Sequence, residues 1–425
     1  MIRTEERLSP RPARPPSLDL ALALAVFAGA LVSLLHLRIH PVRFPLDLDV
    51  YREAGRYALH GRDPYSPGFG DSLRIKLPFT YPPFAALVFA PLALLPRSAL
   101  LVGWTALCIG LFAVIVHVAV RPALLARGWS HPVVLAAAAA ILVWSVPVAQ
   151  TISYGQINLV LVAACLLDCG VTPRASGRRR SLSGALRGAS GVLVGIATAI
   201  KLTPGIFIVY FALTRQWAAA ARAAVTAAAC AGLAFVVAPG PSREFWLHLV
   251  FDDRRPGSPA YYGNQSLLGA LERLHLAWLW VPLGLALGCV GLWRATRAHR
   301  AGAEVTAVAL VGLTAVVVSP ISWQHHAVWI VPAAAALIAW ATTPKRAAVA
   351  ILAVAVFLFP LDFWGQRLSS LGGSPLIAEV LRNSYALAFI ALLLLLPLPS
   401  PSPPSSPPSP PKDAAPPGRR RLAWR

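Results

Sequence analysis

Apolar residues along this chain come in runs of 11 to 22 positions, separated by short polar stretches, which is the pattern of helices that cross a lipid bilayer. The runs predict crossings near residues 18–37, 99–120, 132–148, 159–169, 217–237, 276–293, 305–318, 327–341, 347–363 and 386–398. Two further runs do not fit a simple crossing. Residues 84–95 lie between Pro82, Pro83 and Pro96 and are too short to span. Residues 192–213 are interrupted by Lys201, Thr203, Pro204 and Gly205. A broken apolar segment frees backbone groups that must find partners inside the protein, so it belongs beside a site.

Orientation follows from the basic residues. With the N-terminus inside, residues 84–95 not crossing and 192–213 turning back or crossing twice, the clusters Arg121 with Arg127, Arg174 to Arg187, Arg215 with Arg222, Arg294 to Arg300 and Lys345 with Arg346 all face the cytoplasm. This predicts an all-α polytopic membrane protein of about 10–12 helices. A basic cytoplasmic N-terminus covers residues 1–17, and the membrane domain covers residues 18–398 with a first outer loop at 38–98. A disordered Pro/Ser-rich basic cytoplasmic tail follows at residues 399–425.

Composition narrows the class. Apolar types make up 57% and charged types 13% of the 425 residues, against about 45–50% and about 25% in soluble domains, which excludes a soluble enzyme and a disordered chain. The net charge of +21 is what Lys and Arg retained in cytoplasmic loops produce, so it implies no nucleic acid. Cys108, Cys165, Cys169, Cys230 and Cys289 lie in apolar runs without the His or Cys partners of a metal set; no metal and no cofactor is implied.

The candidate chemistry gathers at the predicted outer ends of helices. Asp47, Asp49, Glu53, Asp63 and Asp71 place five of the 17 acidic residues in the first outer loop. A carboxylate there can take a proton from a sugar hydroxyl. Phe79, Tyr81, Pro82, Pro83 and Phe84 form an amphiphilic element suited to a lipid tail. In SYGQIN, Gln156 and Asn158 carry amides that donate and accept, which suits sugar hydroxyls as well as helix capping. Lys201 at membrane depth is costly and marks an anion site. A loop with charges of both signs leads into Asn264 and Gln265, and SPISWQHH brings Trp323, Gln324, His325 and His326 to a helix end.

In order and content, DLDVYREAGRYALHGRDPY, LPFTYPPFAALVFAPLALLP, SYGQINLVL, GIATAIKLTPGIF, NQSLLGALER and SPISWQHHAVW resemble the actinobacterial polyprenol-phosphate-mannose-dependent alpha-1,2-mannosyltransferases, glycosyltransferase family 87. The resemblance runs from Asp47 to Trp329. It implies a GT-C type membrane enzyme with a catalytic cavity on the outer face of the plasma membrane. It implies a polyprenyl phosphate mannose donor and a mannosylated lipid or lipoglycan acceptor. A beta-linked donor giving an alpha product requires inversion, for which one carboxylate suffices. The family's catalytic Asp maps to Asp47, with Asp49 as the alternative; Lys201 with His325 or His326 would bind the donor phosphate. Tyr51, Tyr81, Gln156, Asn158, Asn264, Gln265 and Trp323 would contact sugar and acceptor. A transporter or flippase of lipid-linked sugars is the alternative from another class, and a non-catalytic scaffold a third.

Overall fold

A computed structural model describes residues 16–37, 45–171, 189–252, 254–255 and 257–398. The basic N-terminus through residue 15, the Arg174–Arg187 cluster, part of the first outer loop and the Pro/Ser tail lie outside the described residues. Among the described residues the regular structure is helical, and one isolated bridge joins Asn264 to Trp323.

In chain order the helices are α1 (Pro16–Leu37), α2 (Leu46–Leu59), α3 (Pro83–Ala93), α4 (Arg97–Ile115), α5 (Arg121–Ala126), α6 (Pro132–Trp144), α7 (Val146–Tyr154) and α8 (Asn158–Asp168). They continue as α9 (Val192–Ile200), α10 (Ile206–Leu213), α11 (Trp217–Val237), α12 (Pro239–Leu247), α13 (Leu267–Arg273) and α14 (Trp280–Arg300). The last are α15 (Glu304–Val318), α16 (Ile330–Trp340), α17 (Pro344–Ala355), α18 (Leu361–Ser370), α19 (Pro375–Arg382) and α20 (Ser384–Leu395).

Among the described residues, three stretches are long and apolar enough to cross a bilayer alone: Arg97–Ala126, Trp217–Val237 and Ala277–Arg300. The first keeps its course through a π-helical turn at Val116–Val120, so it runs beyond the expected end at residue 120. Three more apolar runs are bent pairs: α6 with α7 at 69°, and α17 with α18 and α19 with α20 at 59° each. The expected crossings at 159–169, 305–318 and 327–341 are shorter helices, α8, α15 and α16. Hydropathy reads run length, but Ser145, Pro360 and Asn383 at the breaks turn the chain before a straight span is complete.

The broken segment 192–213 is a hairpin. α9 rises beside α11, with Gly195 so close to Ala223 that an added Cβ would lie 2.6 Å from its carbonyl oxygen. Lys201, Leu202 and the 3-10 turn Thr203–Gly205 form the tip, and α10 descends. Both feet of the hairpin lie at the N-terminal end of α11: Gly191 against Ala219, and Arg215 two residues before Trp217. The segment turns back rather than crossing twice. Lys201 therefore stands one nine-residue helix, about 13 Å, above that basic end.

α2 and α3 make the expected first outer loop a packed element. Leu48, Val50, Tyr51, Ala54 and Tyr57 on α2 and Ala85, Ala86 and Phe89 on α3 are buried against each other and the bundle. α15 and α16 are apolar on nearly every side and form the centre of the core, as helices surrounded by other helices do.

Candidate active site

The site begins with the docking of α2. Asp47 and Asp49 both lie in its first turn, where carboxylates complement the partial positive charge of the helix end. Two residues along a helix turn the side chain to another face, so the pair divides. Asp49 points outward and takes two bonds from the Arg97 guanidinium, from Nε at 3.0 Å and from Nη2 at 2.8 Å. Asp47 points inward. Between them Leu48 is seated on Gly155, whose φ of 68° ends α7; a Cβ there would meet Leu48 Cβ at 2.6 Å. The bare Cα lets the first turn of α2 lie against the α7–α8 turn, and the next residue is Gln156.

Gln156 is buried and holds four groups together. Its amide donates to the Asp47 carboxylate. Its Oε1 lies 2.9 Å from the Tyr51 hydroxyl and 3.2 Å from the Tyr81 hydroxyl, which are 2.7 Å apart; one phenol donates to the other, and that one donates to the amide oxygen. Its Nε2 lies 3.2 Å from His325 Nε2. A carboxylate only accepts, so the amide nitrogen belongs on the Asp47 side, and the facing imidazole nitrogen must accept. That assigns the His325 proton to Nδ1, a buried donor with no partner among the described residues.

Asn158 links this network to the lysine. It is the first residue of α8 yet caps nothing; its Nδ2 donates to the His325 carbonyl at 2.7 Å, and its Oδ1 accepts from Lys201 Nζ at 3.1 Å. Thr151 donates to the same His325 carbonyl at 2.9 Å. Lys201 Nζ also lies 5.5 Å from the centre of the Tyr81 ring. His326 stands at 4.8 Å from His325, ring to ring, and with Lys201, Asn158, Thr203 and Ser322 forms the polar part of a cavity of about 20 Å³ whose other walls, among them Leu161, Val162, Val316 and Trp329, are apolar. The two histidines thus face different sides: His325 toward Gln156, His326 toward the lysine.

Burial pushes the Asp47 carboxyl up from its ordinary 3.8 to about 6, against the Gln156 hydrogen bond and the Lys201 charge, which both hold it down. It is ionised at neutral pH and more basic than a solvated carboxylate.

On the other side of the hairpin tip lies an apolar groove of about 170 Å³, walled by Pro82, Phe84, Leu202, Ala228, Ala231 and Trp246. Lys201 and Leu202 are adjacent in sequence but line different spaces.

Seven of the expected residues, Asp47, Tyr51, Tyr81, Gln156, Asn158, Lys201 and His325, form one bonded network, with His326 beside it. Tyr51 is fully buried, so it supports Gln156 rather than facing the cavity. Asn264 and Gln265 are fully buried with their amides saturated internally. Asn264 donates to the carbonyls of Pro259 and Pro320 and accepts from the Ser266 and Ser322 amides. Gln265 donates to the carbonyls of Tyr262 and Arg382 and accepts from the Tyr385 and Ala386 amides. They brace the loops, and no donor or acceptor remains for a sugar. Trp323 is half-buried against Tyr261, in the loop that carries the histidines. Thr151 joins the site, and Arg97 holds Asp49 away from it, without a sequence signal of their own. A threonine in an apolar run carries little information, and Arg97 reads as an ordinary residue at a helix start.

The profile of glycosyltransferase family 87 matches residues 79–320, more than half of the chain. That stretch includes Gln156, Asn158 and Lys201, whereas Asp47 and the histidine pair lie outside it. The chain is 33% identical to a polyprenol-phosphate-mannose-dependent alpha-(1-2)-phosphatidylinositol mannoside mannosyltransferase of Mycobacterium tuberculosis, over 76% of this chain and 78% of the relative. It is 35% identical to the protein of that name in Mycolicibacterium smegmatis, over 68% and 69% of the two chains. A polyprenol-phosphate-mannose-dependent alpha-(1-2)-phosphatidylinositol pentamannoside mannosyltransferase of Mycolicibacterium smegmatis is 36% identical over 60% of each chain. No solved structure matches.

Proposed function

The chain belongs to glycosyltransferase family 87, membrane enzymes of the GT-C type, and from that premise we propose that it transfers mannose from a polyprenyl phosphate to a mannosylated phosphatidylinositol or lipoglycan acceptor by inverting displacement, with Asp47 as the base. The observation that carries the reading is the shared network of one basic carboxylate, Asp47, and one cation, Lys201, bridged by Gln156, His325 and Asn158.

The donor phosphate sits at Lys201 and His326, and the His325 Nδ1–H offers a further donor. The polyprenyl chain runs along the apolar groove behind Leu202, where the Pro82–Phe84 corner and the small alanines of α11 leave a channel. An acceptor hydroxyl between Asp47 and the anomeric carbon attacks from the face opposite the phosphate. The new C–O bond forms as the C–O bond to phosphate breaks. The hydroxyl proton goes to Asp47, and the electron pair leaves with the polyprenyl phosphate, where Lys201 and the imidazole hydrogen bonds stabilise the growing charge. A phosphate leaving group is already a stable anion, so no acid is required. The basic ends of the helices lie in the cytoplasm, and the cavity opens to the outer face of the plasma membrane.

The test is purified protein with polyprenyl phosphomannose and a panel of phosphatidylinositol mannosides, the product being mapped for linkage and anomeric configuration. An alpha-1,2-mannosyl product is the expected result. Retention of the donor's beta configuration would overturn the mechanism. Movement of labelled donor across sealed vesicles with no glycosidic product would favour a transporter.

A further inference from the structure

A second polar cavity lies at the opposite end of the broken hairpin from Lys201. It has a volume of about 340 Å³ and is lined by Leu213, Thr214, Arg215, His299 and Arg300. Two independent features mark it. Arg215 and Arg300 line it, and neither guanidinium makes an ion pair or hydrogen bond with any described residue. Arg215 also holds a φ of 60°, in the left-handed region that a residue with a Cβ enters at a cost. The acid nearest the cavity wall, Glu304, is engaged elsewhere: it accepts from Tyr210 at 2.5 Å and bonds His299 Nδ1 at 2.7 Å. Among the described residues no carboxylate therefore pairs with the two guanidinium groups.

The surroundings identify the level. Trp217, two residues beyond Arg215, is 65% exposed, and Trp293, two turns before Arg300, is 55% exposed with the Arg297 guanidinium 5.1 Å from its ring centre. Exposed tryptophans at the end of a membrane helix sit at the depth of the lipid headgroups. The paired forks of two arginines match phosphate oxygens. We propose that this cavity binds the phosphate headgroup of an anionic phospholipid in the leaflet at the basic end of the bundle. The bound phosphate bridges the foot of the hairpin, Arg215, to the end of α14, Arg300. It thereby ties down the element whose tip carries Lys201. No part of the transfer reaction enters this proposal, so it stands or falls separately.

The experiment uses the full chain in phosphatidylcholine nanodiscs, with phosphatidylglycerol titrated in and thermal unfolding as the readout. Phosphatidylglycerol is expected to raise the unfolding temperature, and Arg215→Gln with Arg300→Gln together are expected to weaken the apparent affinity about 30-fold, as two lost cationic contacts imply. Arg346→Gln removes a basic residue at the same end but outside the cavity and should leave the titration unchanged. Arg215→Gly relieves the backbone while removing one guanidinium, and should show part of the loss even where the double variant fails to fold. An equal loss in Arg346→Gln would reduce the effect to general surface charge and overturn the site. Unchanged affinity in the Arg215 variants would do the same. Inorganic phosphate that reproduces and displaces the lipid effect would assign the cavity to a free anion instead.

Discussion

Replacing Asp47 by asparagine separates the chemistry of the site from its folding more cleanly than any other change. The amide oxygen of the substituted side chain still accepts from Gln156, so the packing of α2 on Gly155 is retained. What disappears is the negative charge and the ability to take a proton. Transfer should fall by about 10²–10⁴-fold, the range for removing a positioned base. Stability should move the other way. The folded protein binds the Asp47 proton more tightly than the unfolded chain does, because burial holds the carboxyl at about 6 against 3.8. At about 1.4 kcal/mol per pH unit, the ionised carboxylate costs up to about 3 kcal/mol above pH 6. Water reaching this partly exposed group lowers the figure to about 1–2 kcal/mol.

A carboxyl whose folded value is raised is neutral in both states below about 3.8, where it costs nothing. The cost appears as pH rises from 3.8 to about 6 and is complete above that window. Thermal unfolding of wild type and Asp47→Asn in detergent, from pH 4 to 8, should therefore show the variant the more stable at pH 7 to 8, with the difference closing toward pH 4. Transfer by the wild type should fall in parallel below about pH 6 as Asp47 takes up its proton. Full transfer by the folded variant would end the assignment of Asp47 as base. A variant less stable than wild type at pH 8 would show that the carboxylate is stabilised by its neighbours rather than strained by burial.

Asp49→Asn should leave transfer within about threefold and stability within about 1 kcal/mol, since it breaks only a surface pair with Arg97; loss comparable to Asp47→Asn in the transfer assay would reverse the two roles. Lys201→Met should cut kcat/KM by about 10²–10³-fold, with Asn158 left lacking its donor, and normal kinetics with polyprenyl phosphomannose would remove the lysine from phosphate binding. Gly155→Ala should destabilise by about 1–3 kcal/mol and lower kcat, because a Cβ at φ 68° strains the turn and displaces Leu48; unaltered unfolding and kcat would disprove the docking argument. Ala231→Leu narrows the apolar groove and should raise KM for long-chain donors more than for a short-chain analogue, an equal effect on both refuting the groove as the lipid path.

The residues that sequence reasoning brings to the site are those whose presence in an apolar setting has a cost. Lys201 inside a broken hydrophobic run and Gln156 and Asn158 at a helix junction are legible because a buried polar group without partners is expensive, so such groups mark places where partners converge. The same logic misplaces Asn264 and Gln265. A buried amide signals convergence, but the composition does not say whether the partners are ligand or backbone, and here eight bonds to main-chain groups use both side chains up. The choice of Asp47 over Asp49 rests on the resemblance and its spacing to Val50 and Tyr51; the contact that turns Asp49 outward comes from Arg97, 48 residues away across the fold. Hydropathy likewise locates the apolar runs but not their bends, which depend on single residues such as Ser145 and Asn383.

The hairpin joins these two kinds of information. Its sequence permits either two crossings or a return, and both fit the positive-inside pattern. Only the close approach of Gly195 to Ala223, with Gly191 on Ala219 and Arg215 beside His299 and Arg300, makes it a return. A returning hairpin has a tip whose backbone is not helical, and Lys201 sits there with an extended φ of −147°. An uninterrupted helix would have aimed the ammonium along its own flank. The break presents it sideways to Asn158 and Tyr81, with Leu202 turned to the apolar groove. One interruption thus separates a place for charge from a place for hydrocarbon within two adjacent residues, which is the arrangement that a lipid phosphate, charged at one end and apolar along the rest, demands of a protein.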